Sequence, residues 1–207
     1  MTANPAEFYC EKIPRQFNRS FEEQEQRART NTDEQRIFEE MGGVTTSIRV
    51  LVEGDGGGEF ALDIRNGRMT ATPSCATDPF VTIRHDVRDL ESLIRESGDS
   101  ALGFLGGLAG LAGEMRLTKG RIENLDDLKG TARLELKGKS GFRVDTHFGA
   151  GPLPDEPDCT IRVDDEIYRD LRAGSIPAQE AFMTGKIEIE GDMQMAMELA
   201  LAALSPD

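Results

Sequence analysis

The chain has 207 residues, with 24 Lys and Arg against 38 Asp and Glu, a net charge of -14 and a mean hydropathy of -0.44. Cations trail anions throughout, 6 to 9 over residues 1–43, 10 to 14 over residues 44–130 and 8 to 15 over residues 131–207. No basic surface is therefore expected, which excludes nucleic acid as a partner and limits membrane contact to a transient one, while no apolar run reaches the ~18 residues that span a bilayer.

Length allows one domain or two small ones at ~100–200 residues each. The start, MTANPAEFYCEKIPRQ, has no basic head followed by an apolar stretch, so a cytoplasmic protein is expected. Cys10, Cys75 and Cys159 are scattered and odd in number, which reads as reduced thiols. With His85 and His147 as the only histidines, no metal-type spacing exists and no cofactor is expected.

Residues 20–41 are polar and charge-rich, and Phe17, Phe21, Ile37, Phe38 and Met41 give a thin apolar stripe. They read as one or two surface helices packed on the body, or else as a partly ordered arm. From Val44 the period becomes two. Ile48, Val50 and Val52 mark one strand, GDGGG a turn, and Phe60, Leu62 and Ile64 a second strand. Asn66-Gly67 reads as a hairpin turn into a third strand from Met69 to Thr72. Val81 and Ile83 mark a fourth. Asp86 caps a helix with Val87, Leu90, Leu93 and Ile94 on one face. ALGFLGGLAGLAG follows at residues 101–113, then a fifth strand with Met115 and Leu117 and a short helix from Arg121 to Leu128.

The order then recurs. Ala132, Leu134 and Leu136 alternate with polar residues, as do Phe142, Val144 and Thr146, then Cys159, Ile161 and Val163. Asp164 caps a helix with Ile167, Tyr168 and Leu171, which Gly174 ends. Ile187 and Ile189 form the last strand, and residues 192–204 the last helix. Locally the recurrence reaches single residues: Thr82-Ile83-Arg84-His85-Asp86 aligns with Thr160-Ile161-Arg162-Val163-Asp164, and Gly113-Glu114-Met115-Arg116-Leu117 with Gly185-Lys186-Ile187-Glu188-Ile189. Two units in tandem are therefore expected.

The string Asp158 to Ile161, Leu171 through Gly174, Pro177, Ala181-Phe182, Gly185-Lys186-Ile187 and Gly191-Asp192 before a Met- and Leu-rich helix resembles the sterol carrier protein 2 family. Residues 44–130 resemble it more loosely, with Ala101 to Gly107 in place of the Pro-x-x-x-Ala-Phe segment. The resemblance implies an α+β fold of two such units, each a mainly antiparallel sheet of about five strands with helices on one face. The expected layout is an N-terminal helical segment over residues 1–43, a divergent unit over residues 44–130 and a lipid-binding unit over residues 131–207. It further implies an apolar tunnel for a sterol, fatty acid or acyl-CoA, phospholipid or isoprenoid, with no catalysis. The alternative is an accessory or scaffold protein for a partner enzyme acting on lipophilic substrates, without a ligand of its own. The ending Ser205-Pro206-Asp207 is not the Ser-Lys-Leu type of address found in peroxisomal members.

The candidate ligand contacts are Phe142, Phe182, Met183, Ile187, Met193, Met197 and Leu201, with Phe104, Leu105 and Leu108 from the glycine-rich stretch. Met193, Met197, Leu201 and Leu204 share one face of the last helix, and flexible thioethers suit a variable apolar ligand. Plain core packing is the competing reading for these positions, above all for Phe142 and Val144. For residues 101–113 the choice lies between a loose apolar lid, a brief membrane contact and a close-packed helix whose glycines admit a neighbour. GDGGG lacks the Lys-Ser/Thr of a phosphate loop and stands between strands. The acidic pairs Asp126-Asp127 and Asp164-Asp165 sit where carboxylates favour a helix dipole, and no GxSxG elbow is present, so no enzyme is expected.

Overall fold

The computed structural model of the chain describes residues 3–97, 116–149 and 151–204, without the side chains of residues 97, 172, 178 and 200–204. Its strands follow the period-two alternation closely: β1 (Thr45–Glu53), β2 (Gly58–Arg65), β3 (Arg68–Thr72), β4 (Pro79–Asp86), β5 (Gly130–Lys137), β6 (Phe142–Phe148), β7 (Cys159–Asp164) and β8 (Ile187–Gly191). Asn66 and Gly67 adopt φ of 50° and 72° in the β2–β3 turn, the left-handed pair that a two-residue hairpin needs. Gly67 is required for a second reason, because a Cβ there would lie 2.3 Å from the Phe21 ring.

All eight strands form one continuous mixed sheet in the order β3-β2-β1-β4-β6-β5-β7-β8. The expectation of two separate five-stranded units is therefore wrong. β1 pairs antiparallel with β2 and parallel with β4, and β5 does the same with β6 and β7. On each side, however, the described residues include one strand fewer than expected. The stretch 151–158 between β6 and β7 carries no strand, and residues 116–118, where a fifth strand was expected around Leu117, are irregular. Met115 lies outside the described residues. β4 and β6 consequently each present an open edge, and they pair antiparallel with each other, Ile83 opposite Thr146 and His85 opposite Val144. Alternation tells which face a residue takes, but it does not name the neighbouring strand.

The register places Met69, Leu62, Ile64, Ile48, Val50, Val81, Ile83, Val144, Leu134, Leu136, Val163 and Ile187 on one face. Most of the helical cover lies there. α1 (Pro5–Glu7), capped by Asn4, runs through a π-helical turn at Phe8–Lys12 into α2 (Ile13–Ala28). The helical segment begins at Pro5, twelve residues before Phe17, where the apolar stripe starts. It buries Phe8, Tyr9, Ile13 and Phe17 in the core over the first four strands. α3 (Thr32–Gly42) packs on α2 through Ile37 and Met41 against Phe21. Asn18 donates to the Met69 carbonyl at 3.0 Å and accepts from the Met69 amide at 2.8 Å, so its side-chain amide does for the β3 edge what a further strand would do.

The remaining helices are α4 (Leu90–Ser97), after a 3-10 turn capped by Asp86, then α5 (Lys119–Asp126), α6 (Asp165–Arg172), α7 (Ala178–Met183) and α8 (Met193–Leu204). α4 buries Leu90 and Leu93 and reaches β6 across the seam, while α5 contacts both β4 and α8. No described helix is long and apolar enough to cross a membrane.

The opposite face is polar yet partly buried. Asp145 on β6 accepts from Arg133 on β5 at 2.7 and 3.0 Å and from Arg84 on β4 at 2.6 Å. Burial alone pushes the Asp145 carboxyl up, but the hydrogen bonds and charges of Arg133 and Arg84 outweigh it and hold the group below the usual carboxylate range. This cluster straddles the seam and clamps β4, β6 and β5 together. Nearer the first edge, Asp63 accepts from Ser47, Thr72 and the Ala76 amide, fixing the loop before β4.

Candidate functional site

The apolar face is not covered evenly. Over β5 and β6, Leu136, Phe142 and Val144 are buried, and Phe142 meets Tyr168 of α6 edge to face at 6.3 Å. Towards the β8 edge the cover thins. Ile161 opposes Ile189 and Val163 opposes Ile187, and of these Ile161, Ile187 and Ile189 are only half-buried, as are Ile167 and Leu171 of α6. These incompletely covered side chains make up an apolar strip, termed the trough below, over β7 and β8, and α6, α7 and α8 contact those two strands.

Its rim is apolar too. Phe182 is 42 % exposed, Met183 77 %, Met193 41 % and Met197 60 %; these are the four large hydrophobic side chains left exposed among the described residues, and all lie on α7 and α8. α8 turns Met195, Ala196 and Leu199 inward onto the sheet and leaves Met193 and Met197, one turn apart, outward. α7 is held at its root by buried Ala181, whose carbonyl accepts from the Lys186 amide at 2.8 Å.

The Gly-Asp step before α8 has a clear physical reason. Gly191 adopts φ 90°, and a Cβ there would stand 2.3 Å from the Asp158 carbonyl oxygen. The close approach lets the Asp192 amide donate to that same carbonyl at 2.8 Å. The Asp192 side chain then accepts from the Gln194 and Met195 amides, capping α8. The Asp158 side chain accepts from the Thr131 amide at 2.7 Å. One residue thus joins the starts of β5, β7 and α8 and sets the height of α8 above the sheet.

The sequence-based candidates fall into three groups. Phe182, Met183, Met193 and Met197 lie on the rim and Ile187 on the floor, whereas Phe142 belongs to the packed interior beneath α6. Leu201 lies on α8 with its side chain outside the described set, and Phe104, Leu105 and Leu108, like the rest of the 101–113 stretch, lie outside the described residues. In the sequence Ile161, Ile189, Ile167 and Leu171 mark strands and a helix and nothing more. What singles them out is their half-burial, which needs the cover to be known.

Polar chemistry lies elsewhere. In the first half the Tyr9 hydroxyl is 2.6 Å from His85 Nε2, and His85 Nδ1 is 2.8 Å from the Asp86 carbonyl. A carbonyl only accepts, so Nδ1 carries the proton and neutral Nε2 accepts from Tyr9. Burial pushes the His85 pKa down and the Tyr9 pKa up. Both side chains are sealed under the N-terminal helix, so the pair has no opening to a substrate. Asp165 is buried and accepts from the Ser140 amide and from Arg169, a turn-fixing role. Burial, with Asp192 and Asp158 nearby, pushes the Cys159 thiol up to about 11, leaving it an inert core residue. No cluster of metal-ligating side chains occurs among the described residues.

Residues 115–203, which include β5 to β8 and α6 to α8, match the model of the SCP-2 sterol transfer family. The single eight-stranded sheet argues against a plain tandem copy of its domain. Among curated relatives, sterol carrier protein 2 of Rattus norvegicus is 27 % identical over 72 % of this chain and 25 % of its own length. Peroxisomal multifunctional enzyme A of Dictyostelium discoideum is 42 % identical over 32 % of this chain and 14 % of its own length. The chain thus spans about a quarter or less of these two relatives. Among solved structures, sterol carrier protein 2 like 2 of Aedes aegypti is 21 % identical, covering 55 % of this chain and 94 % of that one, with a TM-score of 0.32.

Proposed function

We propose that this chain binds a lipophilic small molecule in the trough over β7 and β8 and carries it without transforming it. One observation carries the reading. The large apolar side chains left in water are gathered on α7 and α8 around half-buried isoleucines, within the segment that matches the transfer family. Burying apolar surface contributes ~25 cal/mol per Å², so a ligand that covers this rim gains affinity without a strong polar contact. The first half plays a supporting part. Phe8, Tyr9, Ile13 and Phe17 already occupy its apolar face, so one ligand per chain is expected. Contact with a bilayer is transient in this reading, made by the exposed rim during loading.

Native mass spectrometry of the full chain, purified without detergent and incubated with a sterol or a long-chain alcohol, tests the proposal. The expected result is a single added ligand mass. Absence of any adduct across both probes refutes it. A second reading, service to a partner enzyme, is favoured by the much greater length of the relatives, one of which is a multifunctional enzyme. It predicts capture of an enzyme by the ligand-free chain.

A further inference from the structure

We infer that the rim of the trough is a redox-sensitive modification site: a peroxide oxidises Met183, Met193 and Met197 to sulfoxides, and the oxidised rim lets its lipid go. This rests on the reading that the trough holds a lipid. Of the eight methionines, Met1 and Met115 lie outside the described residues, and burial divides the other six evenly. Met41, Met69 and Met195 are buried, whereas Met183, Met193 and Met197 are exposed, and all three lie on α7 and α8 beside the trough. The contrast is sharpest within α8, where Met195 is 4 % exposed and Met197, two residues on, 60 %. The strip beside them, Ile161, Ile187 and Ile189, holds no sulfur, so oxidation acts on the rim and spares the surface between. Of the three cysteines, Cys10 alone is exposed, and it lies on the π-helical turn at Phe8–Lys12, over the first half.

A thioether in water is open to a two-electron oxidant, whereas a packed one is shielded. The sulfur lone pair attacks one oxygen of hydrogen peroxide. An S–O bond forms as the O–O bond breaks, sulfur gives up two electrons, and the other oxygen leaves as water with the proton of the transferred one. The product is polar and accepts hydrogen bonds, in place of a flexible apolar group. A lipid lying over it strips its water, which costs free energy unless a donor replaces that water. The neighbouring donors are already committed: the Thr184 hydroxyl donates to the Glu180 carbonyl at 2.7 Å, and the Gln194 amide to Glu198 at 2.8 Å. A rim that gains from being covered thus becomes one that loses by it. Folding is spared, because these three side chains stand in water while the buried methionines stay reduced.

The test treats the full chain with hydrogen peroxide, follows each methionine by sequencing mass spectrometry, and measures affinity for dehydroergosterol and for cis-parinaryl alcohol before and after. Met183, Met193 and Met197 are expected to gain oxygen about tenfold faster than Met41, Met69 and Met195. Affinity for whichever probe binds is expected to fall about tenfold or more. Methionine sulfoxide reductases A and B together should restore it, whereas a dithiol, which reverses thiol oxidation alone, should not. In a Met183→Leu, Met193→Leu, Met197→Leu variant, compared with its own untreated sample, peroxide is expected to change affinity less than twofold, whatever the starting value. Four results each overturn the inference and leave the lipid-binding proposal standing: oxidation of the three rim residues with affinity unchanged, equal oxidation of the buried three, the same loss in the leucine variant, or a loss that comes with a lowered urea midpoint. Binding of neither probe by the untreated chain overturns that proposal and the inference with it.

Discussion

Met197→Asp separates a ligand-contacting last helix from a merely packed one. Met197 is 60 % exposed, so it contributes little to folding, whereas Met195 on the same helix is buried. A ligand covering the exposed part of Met197 removes about half of a Met side chain from water, contributing ~1 kcal/mol when full burial contributes ~1.5–3 kcal/mol. Aspartate forfeits that gain, and its own desolvation adds at least ~2 kcal/mol. The total of ~3 kcal/mol weakens binding on the order of 100-fold. Meanwhile the folding stability of this surface variant stays within ~0.5 kcal/mol of the parent. Titration with a fluorescent sterol reads the first quantity and the urea midpoint the second. Met195→Ala serves as the control, losing about 2–5 kcal/mol of stability through the cavity it leaves. Unchanged sterol uptake in Met197→Asp, with the fold intact, refutes the placement of α8 on the ligand.

Gly191→Ala forces a Cβ against the Asp158 carbonyl at a φ of 90° and is expected to cost on the order of 2–4 kcal/mol, lowering the melting temperature by roughly 4–16 °C for a chain of this size. Arg133→Met leaves buried Asp145 with Arg84 alone; a loss of about 2–3 kcal/mol is expected, below the ~3–5 kcal/mol for an isolated buried pair, and an unchanged denaturation midpoint contradicts the clamp at the seam. Because burial lowers the folded-state pKa of His85, the unfolded chain takes up that proton first. The contribution of neutral His85 is complete above the unfolded pKa of ~6.5 and is lost as pH falls through the folded value. Stability measured from pH 8 downward should begin to fall near that point, and His85→Gln should flatten this part of the curve, leaving the later loss from Asp145 in place.

How far the sequence reveals this molecule depends on the scale of the question. Each described strand follows from its alternation, and even Asn66-Gly67 and Gly174 adopt the conformations their residue types suggest, because such signals act over a few residues. The joining of β4 to β6 is a different matter. It depends on β4 and β6 each having an edge that no other described strand fills, and an unfilled edge leaves no mark in a hydrophobic pattern. The N-terminal helix was seen from Phe17 onward but not at Phe8 and Tyr9, since a buried π-helical turn breaks the regular spacing. For the candidate site, Met193 and Met197 are visible as a stripe, yet the stripe does not say whether it faces the sheet or the solvent. The tie from Asp158 through Gly191 and Asp192 decides that, and it joins residues more than thirty positions apart.

The side-chain amide of Asn18 has a bearing on how copies of this protein meet. With that mimic bonded to Met69 and α2 lying along β3, the flank of the sheet at β3 is closed to newcomers, and β8 is the remaining outer strand. Edge-to-edge growth needs two docking flanks on every molecule. Among the described strands, a pairing of β8 with its own counterpart uses up the one open seat on both partners, so association by this route stops at a twofold pair and does not propagate into a fibre.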